Sequence, residues 1–199
     1  PLTFVATNNV AMADTRLASA QTRLVPFFRL HDTRYQVYWP QIASQKMAEF
    51  MGQAKERAQR EAALAAITID AVNPGEQQPE VEHNFAGENT RAGVNNGNHW
   101  RDAHGWFSYQ LSNTELRANT LRVRYFKGDV DRQFAIVING ELLVKESLPH
   151  ANAAASAEFY TVDYPLTKSM MSAKQLTVRF AAKSQSIAGG IYGVRLLTN

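Results

Sequence analysis

Glu80, His83, Trp100 and Arg101 place a carboxylate, an imidazole, an indole and a guanidinium in one short stretch of the chain. That set suits a sugar: an aromatic face stacks on the apolar C–H side of a pyranose or furanose ring, and planar polar groups answer its hydroxyls. The stretch from Asn73 to Trp106 adds Asn89, His99 and Asp102. Its Pro, Gly and Asn content reads as loop, placed at one end of a scaffold where ligands bind. A structural use of the same residues competes with this one, in which Trp100 plugs the end of a core and Arg101 pairs with a buried glutamate. Sequence leaves both open.

Other chemistry in the stretch is weaker. Glu76 and Glu80 form a carboxylate pair, and glycoside hydrolysis needs two carboxyl groups roughly 5 to 9 Å apart, but spacing in an irregular segment says little about distance in space. Glu76, Glu80, His83, His99 and His104 supply metal-ligand types without the tight His-x-x-x-His or Glu-x-x-His spacing of a helical site. Surface and hydrogen-bonding roles suit them better. His31, Asp32 and Arg34 cluster in FRLHDTRYQVYW, where Tyr35, Tyr38 and Trp39 read as a packed seam, so the polar trio is expected to hold a turn or a domain interface.

The elements that must position these residues follow from periodicity. Residues 1–40 give two β-type runs, Leu2 to Ala6 and Thr22 to Trp39, the second with Tyr35, Val37 and Trp39 in alternation. Two strands do not make a stable sheet, so residues 1–40 need a partner surface. With Phe4, Phe27, Phe28 and Tyr35 exposed on it, self-association is expected. Residues 41–66 change to Ala, Gln, Glu, Lys, Arg and Met behind Pro40, which predicts a helix. Its stripe Met47, Phe50, Met51, Ala54, Ala58, Ala62 and Ala65 predicts close packing on a neighbour.

After Ala66 the period becomes two. Eight strands are expected: 67–72, 105–111, 120–126, 133–138, 141–146, 158–164, 175–181 and 190–197. Asn139-Gly140 lies between Phe134/Ile136/Ile138 and Leu142/Val144 and marks a type I′ hairpin. The fold class is mainly β, a jelly-roll sandwich of about eight strands over residues 67–199, preceded by one long helix and a short two-stranded segment.

Composition limits function. The 199 residues are 45% hydrophobic and 20% charged, enough for one core and an attached subdomain. Twenty-one Lys and Arg against 18 Asp and Glu give +3, scattered without a basic run, which argues against nucleic acid. No apolar stretch approaches the roughly 18 residues of a membrane span, and the first residues show no charged n-region followed by an apolar h-region, so neither a span nor an export signal is expected of this stretch of sequence. With no cysteine there are no disulfides, thiolate metal sites or cysteine nucleophiles, and the redox compartment stays unspecified. The chain begins at Pro1 without an initiator Met, so it is expected to be processed or a piece of something longer.

The order GWFSYQL, TLRVRYF, RQFAIVINGELLV, AEFYTVDYPL, QLTVRFAAKS, GGIYGVRLL resembles the galactose-binding-like sandwich of many carbohydrate-binding modules. Together with LVPFFRLHDTRYQVYW, NPGEQQPEVEH, GENTRAG, HWRDAHGWFSY and AGGIYGVRLL, nearly the whole chain resembles the C-terminal region of glycoside hydrolase family 127, the β-L-arabinofuranosidase-like group and formerly a domain of unknown function. The resemblance implies that 1–40 are terminal strands of a preceding β-sandwich, 41–66 a connecting helix and 67–199 a C-terminal accessory sandwich. The partner it implies is the catalytic (α/α)6 barrel of a parent enzyme, which by the same resemblance is bacterial and secreted or periplasmic. That family's hydrolysis uses a cysteine nucleophile and a zinc site of cysteines and a glutamate, so this cysteine-free chain is expected to be non-catalytic. No cofactor is expected, with a structural calcium suggested by fold analogy alone. Either an accessory domain supporting the barrel, or a stand-alone module for arabinose-containing glycans, fits.

Overall fold

The computed structural model describes residues 4–6, 22–24, 44–149 and 158–198, and the chain divides into two units, Pro1–Met51 and Gly52–Asn199. In the first, β1 (Phe4–Ala6) pairs antiparallel with β2 (Thr22–Leu24). The cluster expected of His31, Asp32 and Arg34, its seam of Tyr35, Tyr38 and Trp39, and Phe27 and Phe28 lie outside the described residues. Helix α1 runs Ser44–Ile67, without Pro and with one Gly, as its composition requires. Residues 46–63 are exposed, Met47 by 43%, Phe50 by 44% and Met51 by 58%. The close packing expected of the stripe is therefore not seen among the described residues.

The second unit holds nine strands, one more than the alternation predicts. They are β3 (Thr68–Val72), β4 (Ala86–Asn95), β5 (Asn98–Ser112), β6 (Thr120–Phe126), β7 (Arg132–Ile138), β8 (Glu141–Leu148), β9 (Phe159–Pro165), β10 (Gln175–Ala182) and β11 (Ala188–Leu197), with short helices α2 (Gln77–Glu82) and α3 (Lys168–Met171). The hydrogen-bonded order is β8-β7-β10-β5-β11-β6-β9, with β3 beside β11 and β4 beside β5. Every pairing is antiparallel.

Strand β5 organises the sandwich. Along one edge it carries β4; along the other, Trp106–Ser112 pair with β10 and Arg101–Ala103 with β11. One strand thus serves both layers, β8-β7-β10-β5 and β5-β11-β6-β9. Alternate residues turn inward: Phe107, Tyr109 and Leu111 of β5, Leu121, Val123 and Tyr125 of β6, Ile136 and Ile138 of β7, Leu176, Val178 and Phe180 of β10, and Val194 and Leu196 of β11 are buried. Tyr125 meets Phe134 across the layers at 6.5 Å. At the far edge the Tyr164 hydroxyl of β9 hydrogen-bonds both Tyr125 and the buried Glu146 of β8. The Asn139-Gly140 turn forms with φ of 51° and 86°, the positive pair a type I′ hairpin needs.

The stretch from Asn73 to Trp106, expected as loop, is instead α2 and the β4–β5 hairpin. Its turn is a second Asn-Gly pair, Asn96 at φ 48° and Gly97 at φ 74°. Strand β4 escapes the period-two pattern because it lies at an edge with seven of its ten residues exposed, so no buried face imposes alternation on its sequence. The first half of β5 escapes it because the adjacent Arg101 and Asp102 put charges at half-buried and buried positions where alternation would call for one apolar residue.

Candidate functional site

Helix α2 ends the connection from β3 and sets Glu80 over the end of the core, where Glu80 is 6% exposed. Arg101 grips it in a fork: Nε donates to Oε1 at 2.6 Å and Nη2 to Oε2 at 2.7 Å. The Gly75 N–H and the Tyr109 hydroxyl donate to Oε1, each at 2.8 Å. Burial alone would push the Glu80 carboxyl up, but the hydrogen bonds from Arg101, Gly75 and Tyr109 outweigh it and hold the group below its usual range. Tyr109 is pushed far up by its burial and by the Glu80 charge, so it remains a donor. Gly75 is required here. It sits at φ 84°, and a Cβ would stand 2.6 Å from the Trp100 carbonyl oxygen.

Arg101 completes its contacts through Nη1 to Thr90 Oγ1 at 3.0 Å and by lying over the Phe85 ring, 4.1 Å from Cζ to centroid. Above this floor opens a pocket of about 540 Å³, lined by Gly75, Gln77, Glu80, Val81, Asn84, Phe85 and Arg101. Its walls mix amides, a stacked guanidinium and apolar surface.

Of the four residues singled out by type, the structure brings Glu80 and Arg101 together and separates the other two. His83 turns to β3, with Nε2 3.0 Å from Asp70 Oδ1 and Nδ1 2.6 Å from the Pro79 carbonyl. Trp100 points to the opposite side of β5 from Arg101, as adjacent strand residues must, and its indole covers Gly93, whose added Cβ would meet Cζ2 at 2.7 Å. Glu76 makes no hydrogen bond or ion pair through its side chain among the described residues, and no three His, Asp or Glu side chains there gather as a metal site. Phe85, Gln77 and Asn84 were not marked by the sequence, although Asn84-Phe85 directly follows the helix that carries Glu80.

A second polar network lies on the other side of β5. Asp102, 1% exposed, accepts from Arg91 Nε at 2.9 Å and Nη2 at 2.7 Å and from Arg132 Nη1 at 3.1 Å. Arg132 Nη2 also reaches Asp129 Oδ1 at 2.6 Å. Asp129 Oδ2 is buried without a hydrogen-bond partner. Burial, with Asp102 nearby, raises the Asp129 carboxyl against the pull of Arg132.

The fold and this site define a mainly-β sandwich domain with a closed ion-pair floor beneath an open polar pocket. The sequence profile of the Family of unknown function (DUF6805) matches residues 63–197, and the chain belongs to that family. Among curated proteins, none matches. Solved structures of similar fold include a family 35 carbohydrate binding module from an environmental isolate, 16% identical over 65% of this chain and 93% of that one, with a TM-score of 0.45. Another family 35 carbohydrate binding module, from Clostridium thermocellum, is 13% identical over 65% and 98% of the two chains, with a TM-score of 0.44. The ANX1 ectodomain from Arabidopsis thaliana is 13% identical over 64% of this chain and 40% of that chain, with a TM-score of 0.48.

Proposed function

We propose that residues 67–199 form a non-catalytic carbohydrate-binding domain whose ligand enters the pocket over Glu80 and Arg101. The observation that carries this reading is the make-up of that pocket: the Gln77 and Asn84 amides and the outer N–H groups of a guanidinium stacked on Phe85, beside the exposed Val81. Fixed planar polar groups next to apolar surface match the alternating hydroxyl and C–H faces of a sugar ring. Glu80 is a poor acid or base, because both its oxygens are engaged by donors that favour its charged form. It fixes Arg101 and leaves binding to the rim.

Calorimetric titration with arabinose-containing and other neutral oligosaccharides tests this. Saturable binding at millimolar ligand or tighter is expected, weakened about tenfold in a Gln77→Ala/Asn84→Ala variant that retains its fold. No heat with any neutral oligosaccharide sinks the reading.

A finer version places this domain at the C-terminal end of a glycoside hydrolase similar to family 127, packed on its catalytic barrel. The motifs quoted above support it, and co-purification of the chain with such a barrel is the experiment that decides it.

A further inference from the structure

Among the described residues, the outer face of the layer β11-β6-β9 carries Arg122, Arg124 and Arg195 with one acid, Asp163. The register sets Arg195 opposite Arg122 and Gly193 opposite Arg124, so Arg124 and Arg195 are diagonal neighbours on the same face. Arg122 is neutralised by a fork to Asp163, at 2.6 and 2.7 Å. Arg124 and Arg195 pair with no carboxylate among the described residues. Arg124 is instead fixed by neutral groups. Its Nη1 donates to Asn98 Oδ1 at 3.0 Å and its Cζ lies 4.5 Å from the Phe159 ring centroid, in a cluster with Phe126 and Tyr192.

Two half-buried like charges side by side cost stability. Burial and the Arg195 charge together lower the affinity of Arg124 for its proton. Gly193 leaves the space between the two guanidinium stems without a side chain of its own; an added Cβ would be 3.5 Å from Arg124 Cβ. An arriving anion would relieve the repulsion and accept from both forks. Strands β6 and β11 are hydrogen-bonded along both edges, so a peptide cannot add here as a strand. Recognition must come from side chains alone.

We propose that Arg124 and Arg195 form a second binding site, distinct from the pocket, that takes the carboxylate of an acidic sugar residue. The sugar class rests on the carbohydrate reading above; the anion specificity rests on the arginine pair.

Binding of trigalacturonate and of its carboxyl-reduced counterpart to the whole chain tests this by calorimetry. The acidic trisaccharide is expected to bind about tenfold tighter, with affinity falling as salt rises. Arg195→Gln breaks no internal hydrogen bond among the described residues and removes one of two like charges, so its melting temperature should equal or exceed the parent's while the preference for the acid disappears. Arg124→Gln should also abolish the preference, but with a modestly lowered melting temperature, because it gives up the Asn98 hydrogen bond and the contact with the Phe159 ring. Equal affinity for the two trisaccharides, or a preference that survives Arg195→Gln, overturns the site. Tighter binding of a polyglutamate peptide through the same arginines overturns the sugar assignment. Loss of neutral-sugar binding in the Gln77/Asn84 variant, with the acid preference intact, separates the two sites. A chain that ignores neutral sugars yet binds trigalacturonate through Arg195 refutes the pocket alone.

Discussion

Glu80 and Asp129 are two buried carboxylates with opposite electrostatic histories. Glu80 is held below its ordinary value of 4.5, so it stabilises the fold fully above that value, and the contribution is lost as pH falls through the lower folded value. Glu80→Gln should therefore cost about 3 kcal/mol at neutral pH, the scale of breaking one side of a buried ion pair. In urea titrations the gap to the parent should shrink as pH drops below about 4. Asp129 is raised above its ordinary value of 3.8, so its charged form is the disfavoured one, and the cost grows as pH rises through the folded value. Asp129→Asn should be milder than Glu80→Gln at neutral pH, and its stability relative to the parent should improve from acid to neutral solution. Identical pH profiles for the two variants would show that the Arg101 fork does not govern Glu80.

At the scale of elements, the β4–β5 hairpin positions both ion networks, and it is held by a Trp on a Gly. Gly93→Val should evict the Trp100 indole from its seat, giving a red shift and loss of intensity in tryptophan fluorescence together with a destabilisation of about 2 kcal/mol. Unchanged emission would show that the indole is not seated there. This hairpin is also where the sequence was hardest to read. Strands such as Thr120–Phe126 and Gln175–Ala182 announce themselves because one face is buried and every second residue is apolar. Strand β4 has little buried face, and in β5 the positions of Arg101 and Asp102 are filled by charges whose partners come from distant segments. The Asn96-Gly97 doublet was the one local sign of the turn. Glu80 and Arg101 were legible as residue types and as one alternative pairing. Their separation from Trp100 follows from strand geometry and becomes visible only once 98–112 is known to be extended.

For the whole molecule, the unit Gly52–Asn199 contains every buried core residue among the described residues, and the family profile begins at residue 63. A fragment spanning residues 52–199 should therefore retain the near-ultraviolet circular dichroism of the sandwich tyrosines and melt in a single transition within a few degrees of the full chain. Loss of that signal would make residues 1–51 part of the folding unit. The binding behaviour expected of the pocket and of the arginine face should survive in the fragment, since every residue named in either lies beyond position 69.

Strand β5 donates its ladder to β10 with one half and to β11 with the other. Neither layer can peel away without rupturing the other's central bonds. Amide protons from Arg101 to Ala103 and from Phe107 to Leu111 should consequently exchange with deuterium at a common slowest rate, set by global opening. The same shared strand makes this domain a single mechanical element, in which tension applied at the β11 end is borne at once by both layers.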